Sequence, residues 1–243
     1  MKNQNKIIEM FNEIAPTYDK ANRLMSFGID MSWRKEAVST ILSKFINKNL
    51  SIADIACGTG DMMKLWSDMA KGYRTNLTRL VGIDPSKGML DVAKAKYKDY
   101  EFILGDAGHT TLEDKSVDIV SISYGIRNVV ERVKGIEEFN RVLKPGGYLV
   151  VLEFAKPKKG GVISIARDFY ISKILPKIGE IVSKNKEAYE YLPSSIDNFL
   201  DKDDFVRELE SLGFEMELAK SYSFDVSTLF VAKKVRDVWP LAN

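Results

Sequence analysis

A chain of 243 residues, 45% hydrophobic and 29% charged, has the make-up of a globular protein long enough to bury a sizeable core. Its 36 basic and 34 acidic side chains leave a formal charge of +2, which offers no basic excess for a nucleic-acid partner. One cysteine, Cys57, excludes an intrachain disulfide. No run approaches the ~20 apolar residues of a membrane-spanning helix, and the start of the chain lacks a signal-peptide pattern, so the expectation is a cytoplasmic protein.

Along the chain, residues 4–15 place Ile7, Ile8, Phe11 and Ile14 on one helical face, and Pro16 breaks that helix. Residues 33–46 form a second amphipathic pattern. From residue 50 the rhythm changes. A short apolar strand runs into Cys57-Gly58-Thr59-Gly60, and a helix follows through Met62, Leu65, Trp66 and Met69. A second strand (78–84) ends in Asp84, and Ser86 is placed to cap the next helix. A third strand spans 101–107, a fourth 117–124 and a fifth 147–154. The helix between the last two carries Ile136, Phe139 and Val142 and is stopped by Lys144-Pro145-Gly146-Gly147. Strands alternating with helices predict βαβ units in a mainly parallel sheet covered on both faces. Residues 156–198 interrupt this pattern with two or three helices. A helix (203–213) and two strands (214–223 and 227–234) close it, the strands as a hairpin with one strand antiparallel to the rest. The predicted organisation is one domain: an N-terminal helical cap (1–48), a cofactor-binding core (49–155), a substrate-covering insert (156–198), the end of the core (199–234) and a tail (235–243).

The chemistry is concentrated at strand ends. The turn after the first strand reads Asp54-Ile55-Ala56-Cys57-Gly58-Thr59-Gly60, with an acid four residues before the first glycine. Glycines let a backbone approach a ligand closely. The acid would repel a pyrophosphate but suits a cationic ligand such as a sulfonium amino acid. Asp84 can accept both ribose hydroxyls of an adenosine. Asp106 can accept the adenine amine, with the Ala107 N–H meeting a ring nitrogen. Ser123, Arg127 and Asn128 lie where the fourth strand enters its loop, outside the strand ends where ligands of open α/β sheets bind. Each acid, taken alone, also reads as a turn or capping residue. His109 is a candidate base, with a solvated loop residue the simpler reading. One His and one Cys provide no zinc constellation.

Four further stretches resemble the ubiquinone/menaquinone biosynthesis C-methyltransferase family. They are Tyr18-Asp19-Lys20-Ala21-Asn22-Arg23-Leu24-Met25-Ser26-Phe27-Gly28-Ile29-Asp30 with Trp33; Ser123-Tyr124-Gly125-Ile126-Arg127-Asn128; Arg141-Val142-Leu143-Lys144-Pro145-Gly146-Gly147 running into Leu152-Glu153-Phe154; and Leu175-Pro176-Lys177-Ile178-Gly179 with Tyr189-Glu190-Tyr191-Leu192. The chain departs from the family pattern at Ala21 (usually Met), Asp30 (usually His) and Ala155 (usually Ser). The resemblance implies a Rossmann-like class I methyltransferase fold with a seven-stranded sheet, S-adenosylmethionine as cofactor, and cofactor contacts at Thr59, Asp84, Asp106, Ala107 and Ser123. It also implies a prenylated quinol as substrate. Cofactor-site residues are therefore expected at Asp54, Gly58, Thr59, Gly60, Asp84, Asp106, Ala107 and Ser123, and catalytic ones at Arg127, Tyr18 and Asn128. Arg127 is expected to stabilise a substrate phenolate.

In the insert, Phe169, Tyr170, Ile174, Leu175, Ile178 and Ile181 are expected to line an isoprenoid path. Lys156, Lys158, Lys159, Arg167, Lys173 and Lys177 offer contacts to anionic headgroups and so a transient contact with the membrane surface, while for the lysines alone an ordinary solvated lid is the simpler reading. A homodimer through the insert is compatible with the sequence. Other readings stay open: a methyltransferase of another amphipathic acceptor, a nicotinamide oxidoreductase disfavoured by the glycine pattern, and a non-catalytic cofactor-binding regulator.

Overall fold

The computed structural model describes residues 3–156 and 185–238. Among them, seven strands form one sheet: β1 (Asn49–Ile55), β2 (Asn76–Asp84), β3 (Glu101–Leu104), β4 (Val117–Ser123), β5 (Leu143–Glu153), β6 (Phe214–Tyr222) and β7 (Ser227–Lys234). Their order is β3-β2-β1-β4-β5-β7-β6, and β7 alone runs antiparallel to its neighbours. This is the expected α/β architecture. The chain winds outward from β1 in both directions, so the carboxyl ends of β1 and β4 diverge around a crevice.

Alternation along the strands builds the two faces. Ala53 and Ile55 of β1 point with Val81, Ile83, Val120 and Ile122 into one apolar layer. The helices α6 (Arg132–Val142) and α8 (Lys202–Ser211) cover that layer through Phe139 and Phe205. Leu50 and Ile52 point the other way, with Ile119, Val150 and Val231, onto α3 (Ile29–Leu42) and α4 (Asp61–Ala70). Trp66 of α4 is fully buried in that second layer.

Several boundaries differ from the sequence reading. The chain stays helical past Pro16: α1 (Gln4–Ile14) passes through a 3-10 turn (Ala15–Thr17) into α2 (Tyr18–Met25). Proline near the start of a helical turn lacks an N–H that has no partner there anyway, so it bends the path without ending it. The helix expected at 33–46 starts at Ile29, behind Gly28 at φ +77°, and ends at Leu42. β3 stops at Leu104, and β5 starts at Leu143, taking in the Lys144–Gly147 run expected to lie before it. Ser86 caps α5 (Lys87–Lys96) as expected, accepting from the Met89 N–H. Of the insert, α7 (Lys186–Asp197) is described. The proposed isoprenoid path, and all of the proposed headgroup cations except Lys156, lie outside the described residues.

The N-terminal helices close over the strand ends through polar contacts. Asn12 of α1 accepts from the Gly88 N–H and the Ser86 hydroxyl, each at 2.8 Å. Asp19 of α2 accepts from Thr59 and pairs with Lys96. Arg23 bridges Asp30 of α3 and Asp61 at the start of α4. α1 can sit this close to α5 because position 88 lacks a side chain: a Cβ there would meet the Asn12 carbonyl oxygen at 2.9 Å and its Cα at 3.0 Å. Gly88→Ala is expected to lift α1, lowering stability by about 1–3 kcal/mol and raising hydrogen exchange in α1 while the β1–β4 amides stay protected. Uniform loss of protection would mean that α1 is not a separately docked element.

Candidate active site

The crevice is shaped by backbone steps that few residues adopt. Ala56 (φ +50°), Gly58 (φ +55°) and Gly60 (φ +87°) turn the chain sharply between β1 and α4. Tyr124, just past β4, is also left-handed at φ +57°, a cost that a large side chain bears only where its surroundings hold it. The two turns nearly touch, since a Cβ on Gly125 would lie 2.6 Å from the Ala56 Cβ.

Asp84 ties this region together. Its Oδ2 accepts the Gly58 N–H at 2.8 Å and its Oδ1 accepts the Ser86 N–H at 2.8 Å. It therefore braces the glycine turn against the start of α5. Burial pushes its carboxyl up to about 6, with the two backbone N–H groups pulling the other way.

A cavity of about 360 Å³ opens over these strand ends. Of the sequence-predicted site residues, Tyr18, Gly58, Asp84, Asp106, Ala107, Ser123 and Asn128 line it. Asp106 is an exposed turn residue that accepts the Gly108 N–H at 2.8 Å, and His109 is exposed beside it. Asn128 is buried and accepts from the Tyr191 hydroxyl of α7 at 3.1 Å. Tyr18 is partly buried. Burial raises its hydroxyl pKa, against a hydrogen bond with Asn22 and the positive fields of Arg34 and Arg127.

Asp54, Thr59, Gly60 and Arg127 do not reach the cavity wall. Thr59 donates its hydroxyl to Asp19, at the seam between cap and core. Asp54 alternates with Ile55 and so faces α4, where it accepts from Ser121, itself the acceptor for the Trp66 indole N–H at 3.1 Å. Burial pushes the Asp54 carboxyl up to about 7. The Ser121 hydroxyl and Arg34 oppose the shift, while the carboxylates of Asp84 and Asp61 add to it.

Arg127, the residue expected to stabilise a substrate phenolate, is buried and ion-paired with a carboxylate. Its Nη1 donates to Glu153 at 2.6 Å and to the Tyr124 carbonyl at 2.8 Å, and its Nε donates to Ser195 of α7 at 3.2 Å. Glu153 is completely buried and accepts the Arg127 N–H as well.

Sequence reasoning missed several contributors. Glu153 and Ser195 carried no motif beyond lying in or near family-like stretches. Ile7, Ile8 and Phe11 were legible as an apolar face, but not as cavity wall. Arg34 of α3 is buried, and its guanidinium lies over the Tyr124 ring, 5.0 Å from the centroid. Its only signal was its place directly after Trp33.

Comparison with known proteins agrees with this geometry. A sequence model of the ubiE/COQ5 methyltransferase family matches residues 1–234. A ubiquinone/menaquinone biosynthesis C-methyltransferase UbiE of Campylobacter jejuni is 59% identical over 235 residues, covering 97% of this chain and 100% of its own. A demethylmenaquinone methyltransferase of Chlorobaculum tepidum is 37% identical over 234 residues, covering 96% and 94%. Among solved structures, a SAM-dependent methyltransferase of Aquifex aeolicus matches with a TM-score of 0.57 at 19% identity, over 82% of this chain and 89% of its own, a likeness of fold alone.

The Asp54 carboxyl gives a signed expectation. Its folded value, about 7, stands above the ordinary 3.8, so the penalty for ionising it in the fold grows as pH rises between those values. Asp54→Asn is expected to melt higher than the parent at pH 8, with a gain that shrinks through pH 5 and vanishes near pH 4. It is also expected to bind S-adenosylmethionine at least ~10-fold more weakly, having lost a charge-assisted partner. Melts across pH and calorimetry check both. A variant that is destabilised at pH 8, or binds normally, would make Asp54 a purely structural residue.

Proposed function

The chain belongs to the ubiE/COQ5 methyltransferase family, S-adenosylmethionine-dependent C-methyltransferases of quinone biosynthesis, and from that premise we propose that its acceptor is a prenylated demethylmenaquinol, methylated at a ring carbon. The observation that carries the acceptor class is the cavity's mixed lining. Ile7, Ile8, Phe11, Met89, Val129 and Val130 line it together with Tyr18, Ser123 and Asn128. An amphipathic ring with a hydrocarbon tail suits that mixture.

On this reading, Asp84 receives the ribose hydroxyls of the cofactor, Asp106 and Ala107 the adenine edge, and Asp54 the α-ammonium. Ser123 stands beside the reacting centre. Gly58, Thr59 and Gly60 shape the turn around it. The residues fit the group, since the buried carboxylate of Asp84 lines the cavity at the end of β2, Asp106 and Ala107 line it after β3, and a second buried carboxylate, Asp54, stands next to Ile55, which lines it at the end of β1. When bound, the cofactor supplies an electrophilic methyl group on a sulfonium.

The protein's own task is to favour a quinol phenolate and hold its ring carbon in line with that methyl, alignment being worth up to ~7–11 kcal/mol of a barrier. Burial keeps Tyr18 protonated near neutral pH, so its hydroxyl donates to the quinol oxygen. The positive fields of Arg34 and Arg127 that act on Tyr18 favour an oxyanion bound to it as well. The Arg127–Glu153 pair also fixes the 124–128 loop that carries Asn128. Among the described residues, no helix is long and apolar enough to cross a membrane. On the same reading, a lipid substrate is reached by transient contact with the membrane surface.

The direct experiment is transfer of label from radiolabelled S-adenosylmethionine to reduced demethylmenaquinone, with the oxidised quinone as control. Label is expected only with the reduced lipid. Tight cofactor binding without transfer would send the search to another acceptor. For Arg127, removing one partner strands a buried charge, so Arg127→Gln alone is expected to cost about 3–5 kcal/mol of stability. The double variant Arg127→Gln/Glu153→Gln is expected to recover most of the melting temperature but not the turnover. Recovered turnover would limit the pair to a structural role.

A further inference from the structure

S-adenosylmethionine ends in an α-amino acid that carries an ammonium and a carboxylate at neutral pH. The placement proposed above puts adenine beside the end of β3 and ribose at β2. Because the sheet runs β3-β2-β1-β4, the amino-acid end of an extended ligand must lie over β1 and β4. There Asp54 of β1 provides for the ammonium, but a buried carboxylate would still need a cation.

Arg34 stands in that quarter with capacity to spare. Arg23, Arg127, Arg132 and Arg141 each donate hydrogen bonds to at least one carboxylate. Arg34 does not. Its Nε is buried without a hydrogen-bond partner among the described residues. The nearest acid, Asp30 Oδ2, is 3.5 Å from that nitrogen and already accepts from Arg23, while Asp30 Oδ1 accepts from Ser26 at 2.7 Å. The guanidinium lies against the face of Tyr124, a side chain that lines the cavity together with Tyr18. Native proteins rarely leave a buried donor unmatched without a use for it.

We infer that Arg34 receives the α-carboxylate of the cofactor, so that Arg34 and Asp54 together form a receptor for a zwitterionic amino-acid end. Asp54, on β1, and Arg34, on α3, hold opposite charges that do not pair with each other directly. A zwitterion laid between them satisfies both. The assignment also gives α3, part of the N-terminal cap, a direct part in cofactor binding.

Calorimetry with two ligands that differ only in the carboxylate tests this: S-adenosylmethionine and decarboxylated S-adenosylmethionine. Arg34→Gln is expected to weaken the first about 10–100-fold and leave the second within about twofold of the parent, as loss of a charge-assisted hydrogen bond requires. Arg34→Lys, which keeps the charge, is expected to recover part of the loss. Equal weakening of both ligands would reduce Arg34 to a packing residue of the cap and overturn the inference, as would unchanged affinity for the first. If the parent protein binds neither ligand, the cofactor placement itself fails, an outcome distinct from the other two.

Discussion

A completely buried carboxylate, Glu153, at the end of a central strand, is tolerable only opposite a cation, and Arg127 supplies it. That pair joins three parts of the chain that are remote in sequence: the end of β5, the loop after β4, and α7 through Ser195. Tyr124 takes its left-handed backbone between these anchors. Its carbonyl accepts from Arg127, its N–H donates to the Leu152 carbonyl, and its ring packs on Phe154 at 4.6 Å. With Tyr124 held, the following residues turn back across the crevice and present Asn128 to the cavity.

The same rule organises the cap. Helices α1 and α2 are fastened over the strand ends by directional contacts, Arg23 with Asp30 and Asp61, Lys96 with Asp19, and Asn12 with α5, beside an apolar cluster of Ile14, Ala15, Ala21, Met25 and Met89. Helix α3 is built into the apolar layer that holds Trp66, through Ala37, Val38, Ile41 and Leu42. Against this pattern of matched charge, Arg34 stands out as a buried group whose Nε has no hydrogen-bond partner among the described residues.

Much of the site was legible because its logic is local. A strand ending in an acid, a glycine turn, and a capped helix are written in consecutive residues, so Asp84, Gly58 and Ser86 could be placed without coordinates. Asp106, Ala107, Ser123 and Asn128 followed because ligands gather at strand ends. The direction of a side chain was harder. Asp54 and Ile55 are neighbours, yet the pleat sends one toward Trp66 and the other toward the cavity. Thr59 turned out to be spent on Asp19, forty residues upstream in the cap, a partnership no spacing rule announces.

Hydrophobic periodicity and turn chemistry in the sequence were enough to determine the α/β class, the strand list, a terminal hairpin with one antiparallel strand, and the strand ends over which the cavity opens, because those signals arise within a few residues. Which charges are neutralised, which remain available, and that α1 forms cavity wall were decided only by tertiary structure. Charge compensation depends on distance and burial between elements. Arg127 becomes half of an ion pair because Glu153 comes within 2.6 Å of it. Arg34 keeps an unmatched donor because Asp30 is already committed to Arg23 and Ser26.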